Sequence, residues 1–296
     1  MMRWYLAALA AQVFGGFWLF TPPALAGNSS RLIWAEEFDA PLDLASNEHV
    51  GTWRANDTFQ NANLGYKDYA GGSWNINPNQ HPAYSPFTVT DGILTIKATR
   101  TPPAIVTDIE ALRGPGQVPA WSGGILITNH QLRSFKYGYF EMRARWPVSG
   151  KGMFPAFWLY TADGRRLKDP RKSGAEIDIF EILGHALGRP WEATVHRRDW
   201  QGIGDMSAVG EFDQETSGWH SYGVDWQPNW LRFYRDRKLL GELTGADARW
   251  FNVEMSIRVN FAVDGAHISK LGRASDYTTP DVMMMLVDYV RVYDKY

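Results

Sequence analysis

The chain has 296 residues, a formal net charge of −2 and no cysteine. A nearly neutral, slightly acidic chain has no electrostatic reason to seek nucleic acid or an anionic membrane surface, so we expect neither as a partner. The absence of cysteine excludes disulfides, thiol nucleophiles, zinc–thiolate sites and iron–sulfur clusters. With 14 Trp and 13 Tyr, the chain is also rich in large aromatic side chains.

The first 26 residues have the pattern of a secretory signal. Arg3 precedes an apolar run from Trp4 to Phe20, and Ala24-Leu25-Ala26 supplies small residues at positions −3 and −1 of a cleavage site. An uncleaved membrane anchor is the alternative, but the run is interrupted by polar and glycine residues and falls short of about 20 apolar residues. We therefore expect cleavage, export to the exterior or periplasm, and no stable membrane insertion afterwards.

Residues 27–296 then form a single all-β domain in this interpretation. No repeat or linker interrupts them, and β-sandwiches often reach this size. Short alternating segments predict strands at Gly92–Ala98, Tyr139–Trp146, Ala193–His196, His220–Trp226, Trp230–Tyr234, Ile257–Val263 and Val287–Tyr293. Strands at this spacing favour two antiparallel sheets packed as a sandwich.

Turn and loop residues lie between these segments. Asp236-Arg237 is typical of a hairpin tip. Thr101–Ala120, rich in Pro and Gly, and Thr161–Ser173, rich in Arg, Lys and Asp, are predicted to be long surface loops. Long loops on a rigid sheet often border binding sites.

The segment with the strongest chemical signal runs from Glu176 to Ile182, E-I-D-I-F-E-I. Side chains alternate along a strand, so Glu176 and Asp178 share one face while Ile177 faces the core. Glu181 has the wrong parity to join them. A one-residue bulge near Ile179-Phe180 would return Glu181 to the face of the other two acids, and bulges are common beside active sites.

Such a strand fits the distances of a glycosidase pair. With the bulge, Glu176 and Glu181 are about four strand steps apart, roughly 13 Å between Cα atoms. Glutamates that lean toward each other then bring their carboxyls to about 5 Å, the separation of a retaining rather than an inverting pair. Glu176 would be the nucleophile, Glu181 the acid and base, and Asp178 a partner that tunes the shared charge. A solvated strand face with alternating acids is the alternative, although like charges on one face cost stability.

These residues resemble glycoside hydrolase family 16. E-I-D-I-F-E matches the bulged signature E-x-D-x-x-E of that family, and four other ordered segments are similar to its motifs: Trp34–Asp39, Tyr137–Arg143, Gly152–Trp158 and Val287–Tyr293. The H-x-Y-x-x-x-W strand of the family is similar to His220–Trp226. The resemblance implies a concanavalin A-like jelly roll and retaining endo-hydrolysis of β-linked glucans or galactans without a catalytic cofactor. Glu176, Asp178 and Glu181 are its catalytic acids.

The resemblance also implies a set of substrate-binding residues, in a monomer whose partner is a β-linked polysaccharide. Glu141 and Arg143 are similar to cleft residues, with an exposed ion pair as the alternative. Trp158 would form a sugar subsite or pack in the core, because an aromatic ring suits the apolar face of a sugar. His196 would lie near the acid/base or be structural, and Asn260 would face the cleft.

Some members of the family bind a structural calcium ion near the first and last strands. Glu37 and Asp288 are the candidate ligands by position, although two carboxylates alone are fewer than calcium takes.

Two other functions share these sequence features. A transglycosylase would keep all three acids and differ only in whether sugar or water attacks the intermediate. A lectin-like module would bind the glycan without cutting it, but it has no need to keep three crowded acids.

Overall fold

The structure, a computed structural model, describes residues 30–55, 66–67 (backbone only), 72–163, 167–185, 190–199, 201–213 and 216–296. The predicted signal, residues 1–26, lies outside the described residues. Within these ranges, no helix has both the length and the apolar composition needed to cross a membrane.

Most of the described chain is β-strand. The strands in chain order are β1 (Leu32–Glu36), β2 (Trp53–Arg54), β3 (Tyr66–Lys67), β4 (Trp74–Asn75), β5 (Phe87–Thr90), β6 (Ile93–Arg100), β7 (Trp121–Thr128), β8 (Gly138–Val148), β9 (Met153–Thr161), β10 (Glu176–Glu181), β11 (Trp191–Arg198), β12 (Gly204–Phe212), β13 (His220–Gln227), β14 (Trp230–Arg235), β15 (Lys238–Thr244), β16 (Met255–Val263) and β17 (Val282–Tyr293). All seven predicted strands are confirmed. The hairpin tip at Asp236-Arg237 is confirmed as well, since both residues have positive φ between β14 and β15.

Helices are short. They are α1 (Val106–Arg113), α2 (Gly245–Trp250) and α3 (Ala266–Lys270), with 3-10 turns at Pro82–Tyr84, Pro103–Ile105 and Pro170–Lys172. The predicted long surface loop over Thr101–Ala120 therefore contains a 3-10 turn and a helix that the sequence did not predict. Ile105 and Ile109, four residues apart, are buried with Trp74 and Ile76 in a small satellite core, so this segment gains enough apolar contact to form α1.

Most of the strands form two antiparallel sheets, while β3 pairs antiparallel with β4 and β4 pairs in parallel with β7. The first sheet has the order β5–β6–β17–β8–β13–β14–β15, with β1 paired to the end of β17. The second has the order β2–β7–β16–β9–β10–β11–β12. The sheets are connected where β6 pairs with β7 at Thr99–Ser122 and Arg100–Trp121. This arrangement is the predicted jelly-roll sandwich.

Alternation of side chains assigns one face of each sheet to the core. In β8 the core side chains are Phe140, Met142, Ala144 and Trp146. In the second sheet the core side chains are Phe157 and Leu159 of β9, Ile177 and Ile179 of β10, Ala193 and Val195 of β11, and Ile257 and Val259 of β16. The residues between them therefore point away from the core.

An aromatic cluster joins the two sheets directly beneath β10. Phe180 stacks on Trp146 of the first sheet at 4.6 Å between ring centroids and lies 4.3 Å from Tyr222 and 5.3 Å from Trp191. All four side chains are buried. Large buried rings in contact stabilise a core through both area and geometry, so this cluster anchors the middle of β10.

Replacement of Phe180 by Ala tests that anchor. We expect the free energy of unfolding to fall by about 3–5 kcal/mol, because the substitution leaves a cavity among three rings. Urea denaturation measures the change. Ile203→Ala, at a side chain that is 69% exposed, is the control and should change the value by less than about 0.5 kcal/mol. Equal small losses in both variants would contradict the assigned role.

Candidate active site

The predicted bulge in β10 is present. On the β11 side, Asp178 pairs with Thr194 and Glu181 with Glu192, so three steps of β10 oppose two of β11. On the β9 side, the register shifts between Asp178 and Phe180. Ile179 and Phe180 are consecutive and both buried, and the extra residue returns Glu181 to the face opposite the core.

The bulge also sets the spacing of the acids. Glu176 is opposite Tyr160 of β9, and Glu181 is opposite Ala156, four residues away on that strand. The two glutamates are therefore separated by four strand steps, about 13 Å between Cα atoms. This is the separation that the sequence predicted.

Strands next to β10 add their outward side chains to the same surface, which we call the acid face. It consists of Glu176, Asp178 and Glu181 of β10, Glu192, Thr194, His196 and Arg198 of β11, Trp158 and Tyr160 of β9, and Arg258 and Asn260 of β16. The acid face thus brings together the three predicted acids, Trp158, His196 and Asn260.

Glu176 has two basic neighbours from β11. Arg198 Nη2 donates to Glu176 Oε2 at 2.6 Å, and His196 Nε2 lies 3.7 Å from Oε1. The Glu176 side chain is only 12% exposed. This short, charge-assisted bond holds in place the carboxylate that would act as the nucleophile.

Asp178 is buried between the two glutamates. Burial raises the pKa of Asp178 well above its ordinary value, and the charge of Glu176 adds to this effect while Arg198 opposes it. His196 Nε2 is 3.1 Å from Asp178 Oδ2, but the approach is poorly aligned for a hydrogen bond. A protonated Asp178 can donate to the carboxylate of Glu176, so the pair holds one negative charge instead of two.

Glu181 has the environment of a proton donor. Burial raises its pKa well above the ordinary value of 4.5, the carboxylates of Asp178 and Glu176 raise it further, and His196 lowers it. Glu192, the cross-strand neighbour of Glu181, is a fourth carboxyl group and also raises the pKa of Glu181. A carboxylic acid that keeps its proton near neutral pH can act as a general acid.

Aromatic and amide groups lie beside the acids on β9 and β16. Trp158 Nε1 donates to Asn260 Oδ1 at 2.7 Å, and Asn260 Nδ2 donates to the carbonyl of Phe154 at 3.3 Å. The guanidinium of Arg258 lies over the rings of Trp158 and Tyr160, at 4.8 and 4.4 Å from their centroids. Trp158 is half-buried and its position is fixed, as a sugar-stacking platform requires.

Glu176, Asp178 and His196 could in principle serve as metal ligands. Each offers one ligand atom, and these atoms lie within 4.8 Å of one another. The guanidinium of Arg198 already neutralises Glu176, and its positive charge opposes a cation at the same place. We therefore interpret the group as catalytic acids with their partners.

Glu141 and Arg143 do not belong to the acid face, so the prediction that they line it is wrong. They lie on β8, which pairs with β13 and β17 in the first sheet, and they point to the outer side of the sandwich. Glu141 is fully buried and receives two hydrogen bonds from Arg237, both at 3.1 Å, and one from the hydroxyl of Tyr139. Glu141 thus forms an ion pair with Arg237, whereas Arg143 pairs with Asp288, so the alternative of an exposed pair between Glu141 and Arg143 is wrong as well.

The residues suggested for calcium also have other partners. Arg291 donates two hydrogen bonds to Glu37, at 2.7 and 2.8 Å, and Arg143 pairs with Asp288. Calcium takes six to eight oxygen ligands. Each of these two carboxylates is instead paired with an arginine. Glu37 and Asp288 therefore do not fit the suggested calcium site.

Five residues of the acid face were not predicted, namely Glu192, Thr194, Arg198, Tyr160 and Arg258. Arg198, Tyr160 and Arg258 each lie two positions from a predicted residue on the same strand, namely His196, Trp158 and Asn260. Because residues i and i+2 share a face, the strand period alone could have found them.

The family model of the glycosyl hydrolases family 16 matches residues 87–278, which include every acid of β10. The chain belongs to this family. Two relatives from Rhizobium meliloti (strain 1021) are 32% identical to it: endo-1,3-1,4-beta-glycanase ExsH over 226 residues and endo-1,3-1,4-beta-glycanase EglC over 225 residues. Each match covers 74% of this chain but only 42% of the relative.

Solved structures agree on the fold. The catalytic domain of an endo-1,3-beta-glucanase (laminarinase) from Thermotoga petrophila RKU-1 superposes with a TM-score of 0.65 at 22% identity, covering 90% of this chain and 98% of that domain. An endo-beta-1,3-glucanase from Pyrococcus furiosus gives a TM-score of 0.61 at 26% identity, with 90% and 95% covered. Together with the strand order, these matches establish the sandwich as a family 16 fold.

The raised pKa of Glu181 predicts a pH-dependent stability. An acid whose folded pKa exceeds its unfolded value near 4.5 stabilises the fold fully below that value, and this stabilisation is lost as pH rises through the folded pKa. We expect the melting temperature of the wild type to fall from pH 4 toward pH 8 more steeply than that of Glu181→Gln. Thermal unfolding across this range, with exposed Glu48→Gln as the control, measures the difference. Parallel curves for wild type and Glu181→Gln would refute the prediction.

Proposed function

We propose that this protein is a retaining endo-glycosidase that hydrolyses β-1,3 and/or β-1,4 linkages of a glucan or a bacterial exopolysaccharide. One observation carries the proposal: the bulge in β10 holds Glu176, Asp178 and Glu181 on one face, four strand steps from first to last. Family membership supports the reaction class.

The first step would form a glycosyl–enzyme ester. An oxygen of Glu176 attacks the anomeric carbon while the bond from that carbon to the leaving oxygen breaks, and Glu181 transfers its proton to the leaving oxygen. Before the attack, Asp178 would donate a hydrogen bond to the carboxylate of Glu176. This hydrogen bond would weaken once Glu176 has become an ester, which carries no negative charge.

The second step would release the sugar. Glu181, now a carboxylate, takes a proton from water, and the water oxygen attacks the anomeric carbon as the ester bond to Glu176 breaks. Two inversions give net retention. The restored Glu181 proton and Glu176 carboxylate complete the cycle.

Names of the relatives support a mixed β-1,3/1,4 glycan as the first substrate to test. Both Rhizobium proteins are endo-1,3-1,4-beta-glycanases, whereas the structural neighbours include laminarinases. Export through residues 1–26 and action as a monomer remain part of the proposal.

Replacement of Glu176 tests the nucleophile. Wild type and Glu176→Gln are incubated with laminarin, mixed-linkage β-glucan, agarose, carrageenan and an acidic bacterial exopolysaccharide, and new reducing ends are measured. We expect the wild type to cut at least one polymer and Glu176→Gln to lose about 10⁴-fold or more in kcat, because the covalent step is removed. Proton NMR of the first-formed product should show the β anomer.

Other results would change the proposal. A wild type that binds a glycan but cuts none of the polymers would support a lectin-like module instead. An α anomer as first product would refute retention. Faster transfer to added acceptor oligosaccharides than to water would support a transglycosylase.

Replacement of Glu181 tests the acid. For Glu181→Gln we expect a loss of about 10²–10⁴-fold on polysaccharide but a much smaller loss on an aryl glycoside with an acidic leaving group, which needs no proton. Steady-state kinetics on both substrates measure the contrast. An equal loss on both would assign Glu181 a different role.

A further inference from the structure

Arg198 lies on the acid face, but the double displacement proposed above assigns it no step. It follows His196 by two positions on β11, so both side chains leave the strand on the side of the acids. Its guanidinium makes two contacts there. Nη2 donates to Glu176 Oε2 at 2.6 Å, and Nη1 is 3.3 Å from His196 Nδ1.

We propose that Arg198 is a positioning residue that fixes both the carboxylate of Glu176 and the imidazole tautomer of His196 through one guanidinium. The consequence for catalysis depends on the proposed function, whereas the tautomer is a property of the folded protein alone.

The bond to Glu176 distinguishes the two carboxylate oxygens. Oε2 accepts a short, charge-assisted hydrogen bond, whereas Oε1 faces His196 at 3.7 Å without such a bond. The planar guanidinium also restricts rotation of the carboxylate, because Arg198 keeps only 26% of its side chain exposed. Oε1 is therefore the oxygen available to an anomeric carbon.

The bond to His196 determines where the imidazole carries its proton. A guanidinium has only donors, so Nδ1 of His196 must be the acceptor of this contact. Burial lowers the pKa of His196, which favours the neutral ring. A neutral ring that accepts at Nδ1 carries its hydrogen at Nε2, the nitrogen that lies 3.1 Å from Asp178 Oδ2.

Arg197, the preceding residue, has a different set of partners. It points to the other side of β11 and pairs with Asp205 and Asp247, whose side chains are 66% and 64% exposed. Arg197 itself is only 14% exposed, and neither of these partners belongs to the acid face. Arg197 therefore offers a matched control, with the same side chain one position away and no contact with the acids.

Several charged or titratable groups face Glu176 in the described part of the chain. They are Asp178 and Glu181 of β10, Tyr160 of β9, His196 and Arg198 of β11, and Arg258, which lies over the ring of Tyr160. Among these, Arg198 is the cation that bonds directly to the carboxylate.

Nitrogen NMR of the histidine rings tests the tautomer without any substrate. In ¹⁵N-labelled wild type near pH 7, the resonances of His196, assigned by their loss in His196→Gln, should show the hydrogen at Nε2. Arg198→Gln should lose this preference or raise the pH at which the ring protonates, and Arg197→Gln should leave both unchanged. A wild-type ring with its hydrogen at Nδ1 would overturn the proposal even if every Arg198 variant failed to fold.

Kinetics test the effect on the nucleophile. For Arg198→Gln we expect kcat/KM to fall by about 10- to 100-fold, as for other small misplacements of reacting groups. The acidic limb of its pH profile should move upward, because the loss of Arg198 removes a positive charge that lowers the pKa of Asp178. Arg198→Lys should return the acidic limb part of the way to its wild-type position, because a positive charge remains. It should not restore the wild-type tautomer of His196.

Chemical rescue completes the test. Added guanidinium at millimolar concentration should recover part of the kcat of Arg198→Ala and none in Arg197→Ala. Variants of Arg198 that keep the wild-type pH profile, tautomer and rate would refute the inference while leaving the proposed function intact. If wild type cuts no glycan, the proposed function fails, and the NMR result still decides the role of Arg198.

Discussion

The bulge at Ile179 and Phe180 is the constraint on which the site depends. Two consecutive apolar side chains must both be buried, and the aromatic cluster of Trp146, Trp191 and Tyr222 is the environment that buries the second. Once Phe180 is fixed in that cluster, strand parity leaves Glu181 on the acid face. The position of the proposed acid, Glu181, is thus determined by packing on the opposite side of the sheet.

The same arrangement has an electrostatic cost. Burial raises the pKa values of Asp178 and Glu181, and repulsion among the acids raises them further. Arg198 offsets part of this cost at Glu176. The acid face is therefore a region where function opposes stability, and the aromatic core beneath it supplies the compensating free energy.

Local pattern predicted seven of the strands and the bulge in β10, because these follow from a period of two and from the burial of apolar residues. It could not predict which strands become neighbours. Glu141 and Arg143 have the residue types of a binding surface, yet β8 pairs with β13 and β17 in the other sheet, a fact that no local signal in β8 encodes. Arg198 was not predicted, although it lies two positions after His196 on β11 and therefore shares its face. The helix α1 was not predicted because the Pro and Gly residues on either side of it are typical of a loop.

The pairing of β1 with β17 places residues 32 and 293 side by side. Leu32 is opposite Tyr293, and the backbone N–H of Asp294 donates to the carbonyl of Arg31 at 3.0 Å. Paired antiparallel residues have Cα atoms about 5 Å apart, so a linker of very few residues would join the two ends of the sandwich. Both ends also belong to the first sheet, whereas the acids lie on the second. The domain is thus suited to circular permutation and to insertion into a longer polypeptide. After insertion, the acid face would lie on the sheet that does not carry the two ends.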